Sequence, residues 1–378
     1  MDFARLDHFL DFILDLGVPG ADCIIKKGYE TIYRRQVGYA DQEARRLLQG
    51  DERMFLYSCT KPITCAGALQ LYEQGKFLMT DPLYEYIPEY RYQTISTLSE
   101  NGEECVRTAK NPITIGDLFA MTAGMDYNLN APAIQTVRQK TNGRAPTLDV
   151  VRALASQPLH YEPGSHWSYS LAHDVLGGLI EVISGKRFGD FLREGIFEPL
   201  GMNSTSFTLP SEDSVPMMVQ YWRDEETNVV SRIPLENEFV FGSEYESGGA
   251  GLISTAEDYI LFAAAMSNGG IGENGAQILN RNTIDLMRSN RLGPQQQKDF
   301  NWVRFRGYGY GLGVRTMVDR ASGGSNSSLG EFGWAGAAGS YVAMDPTLGI
   351  SIFYGQHMRK NLEAYIHPRL RNIIYSCL

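Results

Sequence analysis

The sequence predicts an α/β protein of the α+β type, with helices flanking one antiparallel sheet and a helical lobe inserted into the chain. Three observations lead to this prediction. The start of the chain has the pattern helix, strand, strand, and strand patterns return after residue 206 and end in a last helix. The stretch between is rich in loops and short helical segments. A sheet formed from both ends of the chain accounts for this order. We predict an α/β domain over 1–75 and 206–378 and a mainly helical domain over 76–205.

The N-terminal elements follow from the spacing of apolar residues. Residues 3–16 carry apolar side chains at helical spacing with acidic residues between them, which indicates an amphipathic helix. Residues 21–27 and 31–39 have strand composition on either side of a turn at Gly28. A second helix is predicted over 59–74, where Pro62 is tolerated in the first turn and Gly75 ends the helix.

The rest of the chain contains both kinds of element. Helices are predicted at 171–184, 255–266 and 361–376. Strands are predicted at 218–222, 228–233, 310–317, 334–344 and 349–355.

Composition limits the kinds of partner. The formal net charge of -10 argues against nucleic acid or an anionic membrane as a partner. The five cysteines are scattered without a C-x-x-C pair, so neither a disulfide framework nor a zinc site is predicted. The acidic N-terminus lacks the features of a signal peptide, and no run of 18 apolar residues occurs. We therefore expect a cytoplasmic protein, while composition leaves its oligomeric state open.

Ser58 and Lys61 form the only Ser-x-x-Lys motif of the chain, at the start of the predicted helix 59–74. Residues three apart share one face of a helix. A serine hydroxyl becomes a good nucleophile when a neighbouring base takes its proton, and a lysine in a suitable environment is such a base. The motif thus favours a hydrolase that works through an acyl-enzyme. The same residues also fit an N-cap serine followed by a solvent-facing lysine.

Further motifs give this pattern a family context. In chain order they are SCTK at 58–61, ITIGDL at 113–118, MTAGM at 121–125, YEPG at 161–164, YSL at 169–171, PLGM at 199–202, GGAGLISTAEDY at 248–259 and GWAGAAG at 333–339. With these motifs in this order, the chain resembles over residues 5–375 the serine hydrolases of the class C β-lactamase and penicillin-binding-protein superfamily, and most closely the family VIII carboxylesterases. The resemblance implies a β-lactamase/transpeptidase-like fold with the active site between the two predicted domains.

The resemblance assigns roles to residues outside the first motif. Tyr169 matches the tyrosine that acts as the second basic group. Trp334 and Gly336 stand in the third motif, which usually reads Lys-Thr-Gly or His-x-Gly. Ala337 follows that glycine, and its backbone N–H is expected to form the oxyanion hole together with the N–H of Ser58.

Two departures from the family pattern concern the substrate. Leu171 replaces an asparagine that contacts the substrate's amide group, and Trp334 replaces a lysine that attracts the substrate's carboxylate. Both residues are expected at the substrate site. Losing an amide and a cation should weaken recognition of penicillin-like acids and favour neutral, apolar esters.

Other chemistries have less support. The chain lacks the Gly-x-Ser-x-Gly motif of Ser-His-Asp hydrolases. His160, His166 and His173 are spaced too irregularly for one helical face, so no metal is predicted. Neither a Walker motif nor a dinucleotide fingerprint occurs, so no cofactor is predicted.

We therefore predict a carboxylesterase in which Ser58 attacks the ester and Lys61 and Tyr169 share the acid–base task. The order in which these two act remains open. β-Lactam hydrolysis, D-amino-acid peptidase action and acyl transfer are the enzymatic alternatives, with a small ester or a β-lactam-like molecule as substrate. A binding or scaffold protein that has kept the fold but lost turnover is the non-enzymatic alternative.

Overall fold

The computed structural model describes residues 1–98, 101–209 and 216–378. Its strands are β1 Gly20–Lys27, β2 Glu30–Asp41, β3 Arg46–Leu47, β4 Met54–Phe55, β5 Thr94–Leu98, β6 Glu104–Thr108, β7 Tyr221–Arg223, β8 Val230–Arg232, β9 Ile253–Ser254, β10 Tyr308–Tyr310, β11 Arg315–Met317, β12 Phe332–Ala335, β13 Tyr341–Asp345, β14 Ile350–Gln356 and β15 Met358–Arg359. Its α-helices are α1 Ala4–Asp15, α2 Thr60–Glu73, α3 Ile115–Ala120, α4 Pro132–Lys140, α5 Thr147–Leu154, α6 Ala172–Ser184, α7 Phe188–Leu192, α8 Glu198–Leu200, α9 Ala256–Ser267, α10 Arg281–Met287, α11 Pro294–Phe300, α12 Arg320–Gly323 and α13 Glu363–Cys377.

The main sheet is formed from both ends of the chain, as predicted. Its eight strands lie in the order β10-β11-β12-β13-β14-β1-β2-β3, and each neighbouring pair is antiparallel. The junction between the two chain ends is the pair β1–β14, in which Ile24 lies opposite Phe353. The α/β fold with an antiparallel sheet and flanking helices is therefore confirmed.

Alternating side chains of the sheet enter two separate cores, because successive residues of a strand point to opposite faces. Cys23 and Ile25 pack in one core with residues of α1 and α13, among them Leu10 and Leu370. Ile24 packs in the other core with residues of α2 and α9. The sheet is thus covered on both faces, and α2 is held against the face that carries the candidate site.

Two of the predicted strands are wrong, because each is two strands joined by a turn. The predicted strand 310–317 is β10 and β11, which pair through a turn that contains Gly313 at φ +82°. The predicted strand 334–344 is β12 and β13, and Gly339 at φ +99° lies in the turn between them. Apolar residues continue through both turns, so the pattern resembles one long strand. The hairpin β5–β6 has no counterpart among the predicted strands.

The stretch between β4 and β7 contains α2–α8 and the hairpin β5–β6. Nine residues of helix α6 are buried, the largest number in any of the described helices from α3 to α8. It packs beside α2, which brings the inserted stretch against the helix that follows Ser58. The domain boundaries at 75 and 206 stay a prediction.

Among the helices within the described residues, none combines the length and the apolar composition needed to cross a membrane.

Candidate active site

Ser58 lies in a short 3₁₀ turn, Tyr57–Cys59, that leads directly into α2. Tyr57 has φ +48°, a left-handed conformation that costs free energy in a residue with a bulky side chain. The Tyr57 ring is fully buried, and its hydroxyl donates to Gln220. This anchor fixes the turn, and it leaves Ser58 half-buried at the N-terminal end of a helix, where backbone N–H groups lack intrahelical partners.

Lys61 lies in the first turn of α2 and is fully buried. Its Nζ is 3.3 Å from Ser58 Oγ, 3.3 Å from Tyr127 Oη and 2.7 Å from the carbonyl oxygen of Gly249. The predicted pair of Ser58 and Lys61 is therefore brought together. A buried lysine nitrogen needs partners of this kind to offset its lost hydration.

A buried carboxyl group lies close to this lysine. Asp174 in α6 accepts hydrogen bonds from Ser247 Oγ at 2.6 Å and Tyr245 Oη at 2.9 Å. Burial raises the pKa of Asp174, while those hydrogen bonds and the charge of Lys61 act in the opposite direction. Gly249 lies between Asp174 and Lys61, and a Cβ there would be 2.5 Å from Asp174 Oδ2 and 3.3 Å from Lys61 Nζ.

We predict that Gly249→Ala lowers kcat/KM for an ester substrate at least about tenfold while the protein remains folded. The added methyl group displaces the Asp174 carboxyl group or the Lys61 nitrogen, and small displacements of catalytic groups are costly. Steady-state kinetics with circular dichroism would measure both effects. Gly293→Ala is the matched control, since among the described residues a Cβ there meets only Gln296 Oε1, at 3.6 Å. Equal rates for the two variants would contradict the prediction.

Tyr169 precedes α6 and faces the same lysine. Its segment is held by backbone hydrogen bonds from Ser168 to Met121 and from Leu171 to Asp126. The Lys61 Nζ lies 4.5 Å from the centroid of the Tyr169 ring. The Tyr169 hydroxyl accepts a hydrogen bond from Trp334 Nε1 at 3.1 Å, which leaves its own proton available for donation.

Tyr127 is a site residue that the sequence reasoning missed. Its ring stacks on Tyr169 at 5.3 Å with an interplanar angle of 8°, and its hydroxyl contacts Lys61. Burial, with a further contribution from Tyr169, raises the pKa of Tyr127 well above its ordinary value. Tyr127 is therefore a neutral phenol at neutral pH. It lies two positions after the family-like segment 121–125, and that proximity is the one sequence feature that indicates a place near the site.

The third motif lies at the C-terminal end of β12, beside the turn that carries Ser58. Gly336 is required there, because a Cβ would lie 2.2 Å from the Leu56 carbonyl oxygen. Ser340 Oγ donates to the same carbonyl at 3.0 Å, which ties the β12–β13 turn to the serine turn. Asn361 Nδ2 donates to the Ala337 carbonyl at 2.8 Å and so fixes the orientation of that backbone segment.

These elements surround a cavity of about 860 Å³, open space at its mouth included. A column of stacked rings runs beside it, with centroid separations of 5.3 to 5.7 Å: Tyr127, Tyr169, Trp334, Phe305 and Trp302. The last four of these rings line the cavity. The predicted residues Ser58, Tyr169, Trp334, Gly336 and Ala337 all line the cavity. Leu171 does not: it is 2% exposed and belongs to the hydrophobic core.

The three histidines considered for a metal have separate partners. His160 contacts Asp126 at 3.3 Å, and His166 contacts Asp299 at 2.9 Å. His173 is fully buried, and burial lowers its pKa to about 3. Within the described residues, no group of three or more potential metal ligands occurs.

Comparisons with known proteins agree with this architecture. A family model described as Beta-lactamase matches residues 4–363. Esterase EstB of Burkholderia gladioli is 31% identical over 397 residues, which cover 99% of this chain and 95% of the esterase.

Two of the solved structures that share the fold illustrate its range. One is EstCE1, described as a hydrolase with promiscuous acyltransferase activity, at TM-score 0.79, 24% identity and coverage of 98% of this chain and 97% of its own. The other is unliganded simvastatin synthase (LovD) from Aspergillus terreus, in its selenomethionyl form, at TM-score 0.83, 20% identity and coverage of 100% and 99%.

Proposed function

The chain belongs to the β-lactamase family and is a serine hydrolase of that fold, and we propose that it hydrolyses small carboxylic esters through an acyl-enzyme on Ser58. The observation that carries this proposal is the contact of Lys61 Nζ with Ser58 Oγ beside an aromatic-walled cavity. The proposed site lies between the two predicted domains. Ser58, Lys61 and Trp334 come from one, and Tyr127 and Tyr169 come from the other.

In the proposed acylation step, Ser58 Oγ forms a bond to the ester carbonyl carbon as Lys61 Nζ takes its proton. This assignment follows from the 3.3 Å contact between these two atoms. Tyr169 gives its phenolic proton to the departing alcohol oxygen as the C–O bond breaks. The proton on Lys61 then restores Tyr169, so the net transfer is from the serine to the alcohol.

The developing negative charge on the carbonyl oxygen requires two hydrogen-bond donors. We assign these to the backbone N–H groups of Ser58 and Ala337, two residues that line the cavity. In deacylation, water attacks the acyl carbon, its proton returns to the serine through the same base, and the carboxylic acid leaves. No cofactor is needed for either step.

Two features support an ester over a β-lactam as substrate. Trp334 stands where the family pattern has a lysine. Its side chain has an indole N–H in place of a cation, and that N–H donates a hydrogen bond to Tyr169. Leu171 offers no amide group and packs in the core. The relative EstB is itself named an esterase. Acyl transfer to an alcohol in place of water is the second candidate, favoured by the description of EstCE1.

Parallel assays would test the proposed reaction. We expect turnover of p-nitrophenyl esters from acetate to octanoate, with the fastest rates at short to medium chain length, and negligible turnover of nitrocefin. An added short-chain alcohol would report acyl transfer as a new ester product. Rapid nitrocefin cleavage with negligible ester cleavage would overturn the assignment. A chain that neither turns over esters nor reacts with a fluorophosphonate would be a non-catalytic member of the fold.

A further inference from the structure

The inner part of the active-site cavity is unusually rich in arginine for a protein of net charge -10. Three arginines, Arg304, Arg315 and Arg371, line the same cavity as Ser58. Among the described residues of that lining, Glu363 is the one carboxylate. The arginines come from separate parts of the chain, and they line the part of the cavity that β12 and α13 also line. We call this space the inner arm.

Two of these arginines are neutralised by carboxylates. Arg304 forms an ion pair with Glu363, and its guanidinium also lies over the rings of Trp302 and Phe305. Arg315 pairs with Glu331 at 3.0 Å, and both side chains are almost completely buried. Within the described lining, these two pairs leave Arg371 as the remaining arginine of the arm.

Arg371 is 5% exposed, and no carboxylate oxygen of the described residues lies within 4.0 Å of it. Its Nη1 donates to Tyr308 Oη, and its Nε has no hydrogen-bond partner in that part of the chain. Tyr341 also lines the cavity, beside Arg315, and its buried hydroxyl has no hydrogen bond of ordinary geometry to any described residue. Buried charges and donors of this kind normally have partners, because leaving them unpaired is costly.

We propose that the inner arm binds a carboxylate of the substrate, with Arg371 and Tyr341 as its main donors. A guanidinium matches the planar geometry of a carboxylate and donates to both of its oxygens. The substrates are then esters that carry a second, ionised acid group, in place of the neutral esters that Trp334 alone would favour. This inference rests on the proposed ester hydrolysis at Ser58.

Matched substrates and variants test the inner arm. Mono-4-nitrophenyl glutarate carries the carboxylate on the acyl side, with 4-nitrophenyl valerate as its neutral partner. 4-Butyryloxybenzoate carries it on the alcohol side, with phenyl butyrate as its partner. We expect the wild type to prefer the charged member of at least one pair, after correction for spontaneous hydrolysis. Arg371→Met should reduce that preference in kcat/KM at least about tenfold, as expected for a charge-assisted hydrogen bond.

Tyr341→Phe is a second variant that keeps the test decisive if Arg371→Met fails to fold. It removes a hydroxyl that has no ordinary hydrogen bond within the described part of the chain, so a purely structural role predicts no change in the preference for the charged ester. We expect Tyr341→Phe to lower the preference for the charged ester over its neutral partner about threefold. Arg306→Gln is the control, because Arg306 lines a neighbouring groove and not this cavity. Unchanged preference in both site variants, or no preference in the wild type, would overturn the proposal.

A binding measurement separates this proposal from the esterase assignment. Glutarate should raise the melting temperature of the wild type and of Ser58→Ala. Dimethyl glutarate should not raise the melting temperature of Ser58→Ala, the variant in which the diester is not hydrolysed to a carboxylate. The effect of glutarate should disappear in Arg371→Met. Stabilisation by glutarate without any ester turnover would retain the anion site and reject the hydrolase assignment. Ester turnover without stabilisation by glutarate would retain the hydrolase assignment and reject the anion site.

Discussion

Ser58→Ala is expected to lower kcat for ester hydrolysis at least about 10⁴-fold, as in other enzymes that lose their nucleophile. The variant lacks the oxygen that forms the acyl-enzyme bond, so it should also fail to react with a fluorophosphonate probe. Its fold should be unaffected, because Ser58 is half-buried and the contact of its Oγ with Lys61 holds no other element in place. Ester kinetics, probe labelling and thermal melting would measure these three consequences.

Ser165→Ala provides the matched control for this experiment. Ser165 is also partly buried, and its hydroxyl donates to the Glu162 carbonyl at 2.7 Å, away from Lys61. This variant should keep wild-type turnover and labelling. If Ser58→Ala still formed a covalent adduct and turned over esters, the nucleophile would be a different residue and the proposed mechanism would be wrong.

The periodic parts of the fold were predictable from the sequence. Helix α1 and strand β1 bury regular sets of side chains, and their predicted bounds differ from the observed ones by about a residue. The two strands that were wrongly predicted as continuous each contain a turn made of apolar and small residues. In the segment 334–344, the small residues between β12 and β13 do not interrupt the hydrophobic pattern, although Gly339 reverses the chain there. Local periodicity cannot reveal such a turn, because tertiary contacts such as that of Ser340 with Leu56 hold it in place.

The candidate site was predictable only where the sequence spacing within one motif determines the distance between its residues. Ser58 and Lys61 share a helical turn, so their spacing implied their contact. For Tyr127 and Arg371, no sequence spacing indicates a contact with the other site residues. Each is placed by packing between segments far apart in the chain, and each is one of many residues of its type. The expected contact of Leu171 with substrate came from a family position, whereas in this chain that side chain packs into the core.

Tyr169→Phe is expected to lower kcat/KM for ethyl butyrate at least about 10²-fold, in the range of lost general-acid catalysis. The reason is that an ethoxide leaving group must be protonated as it departs. For p-nitrophenyl butyrate the expected loss is under about tenfold, because p-nitrophenolate departs without a proton. The dependence on the leaving group separates a proton donor from a residue that only shapes the cavity. Removing the hydroxyl also leaves Trp334 Nε1 without its acceptor, and that change affects both esters equally.

Tyr127→Phe should behave differently, because its hydroxyl contacts Lys61 and not the leaving group in the proposed mechanism. We expect a loss of about tenfold that is the same for both esters, since it acts on the base that activates Ser58. Tyr310→Phe is the control: its buried hydroxyl has no hydrogen-bond partner in the described part of the chain, although its ring contacts Trp334. If Tyr169→Phe hydrolysed ethyl butyrate at the wild-type rate, another group would protonate the leaving group, and the acid role proposed for Tyr169 would be wrong.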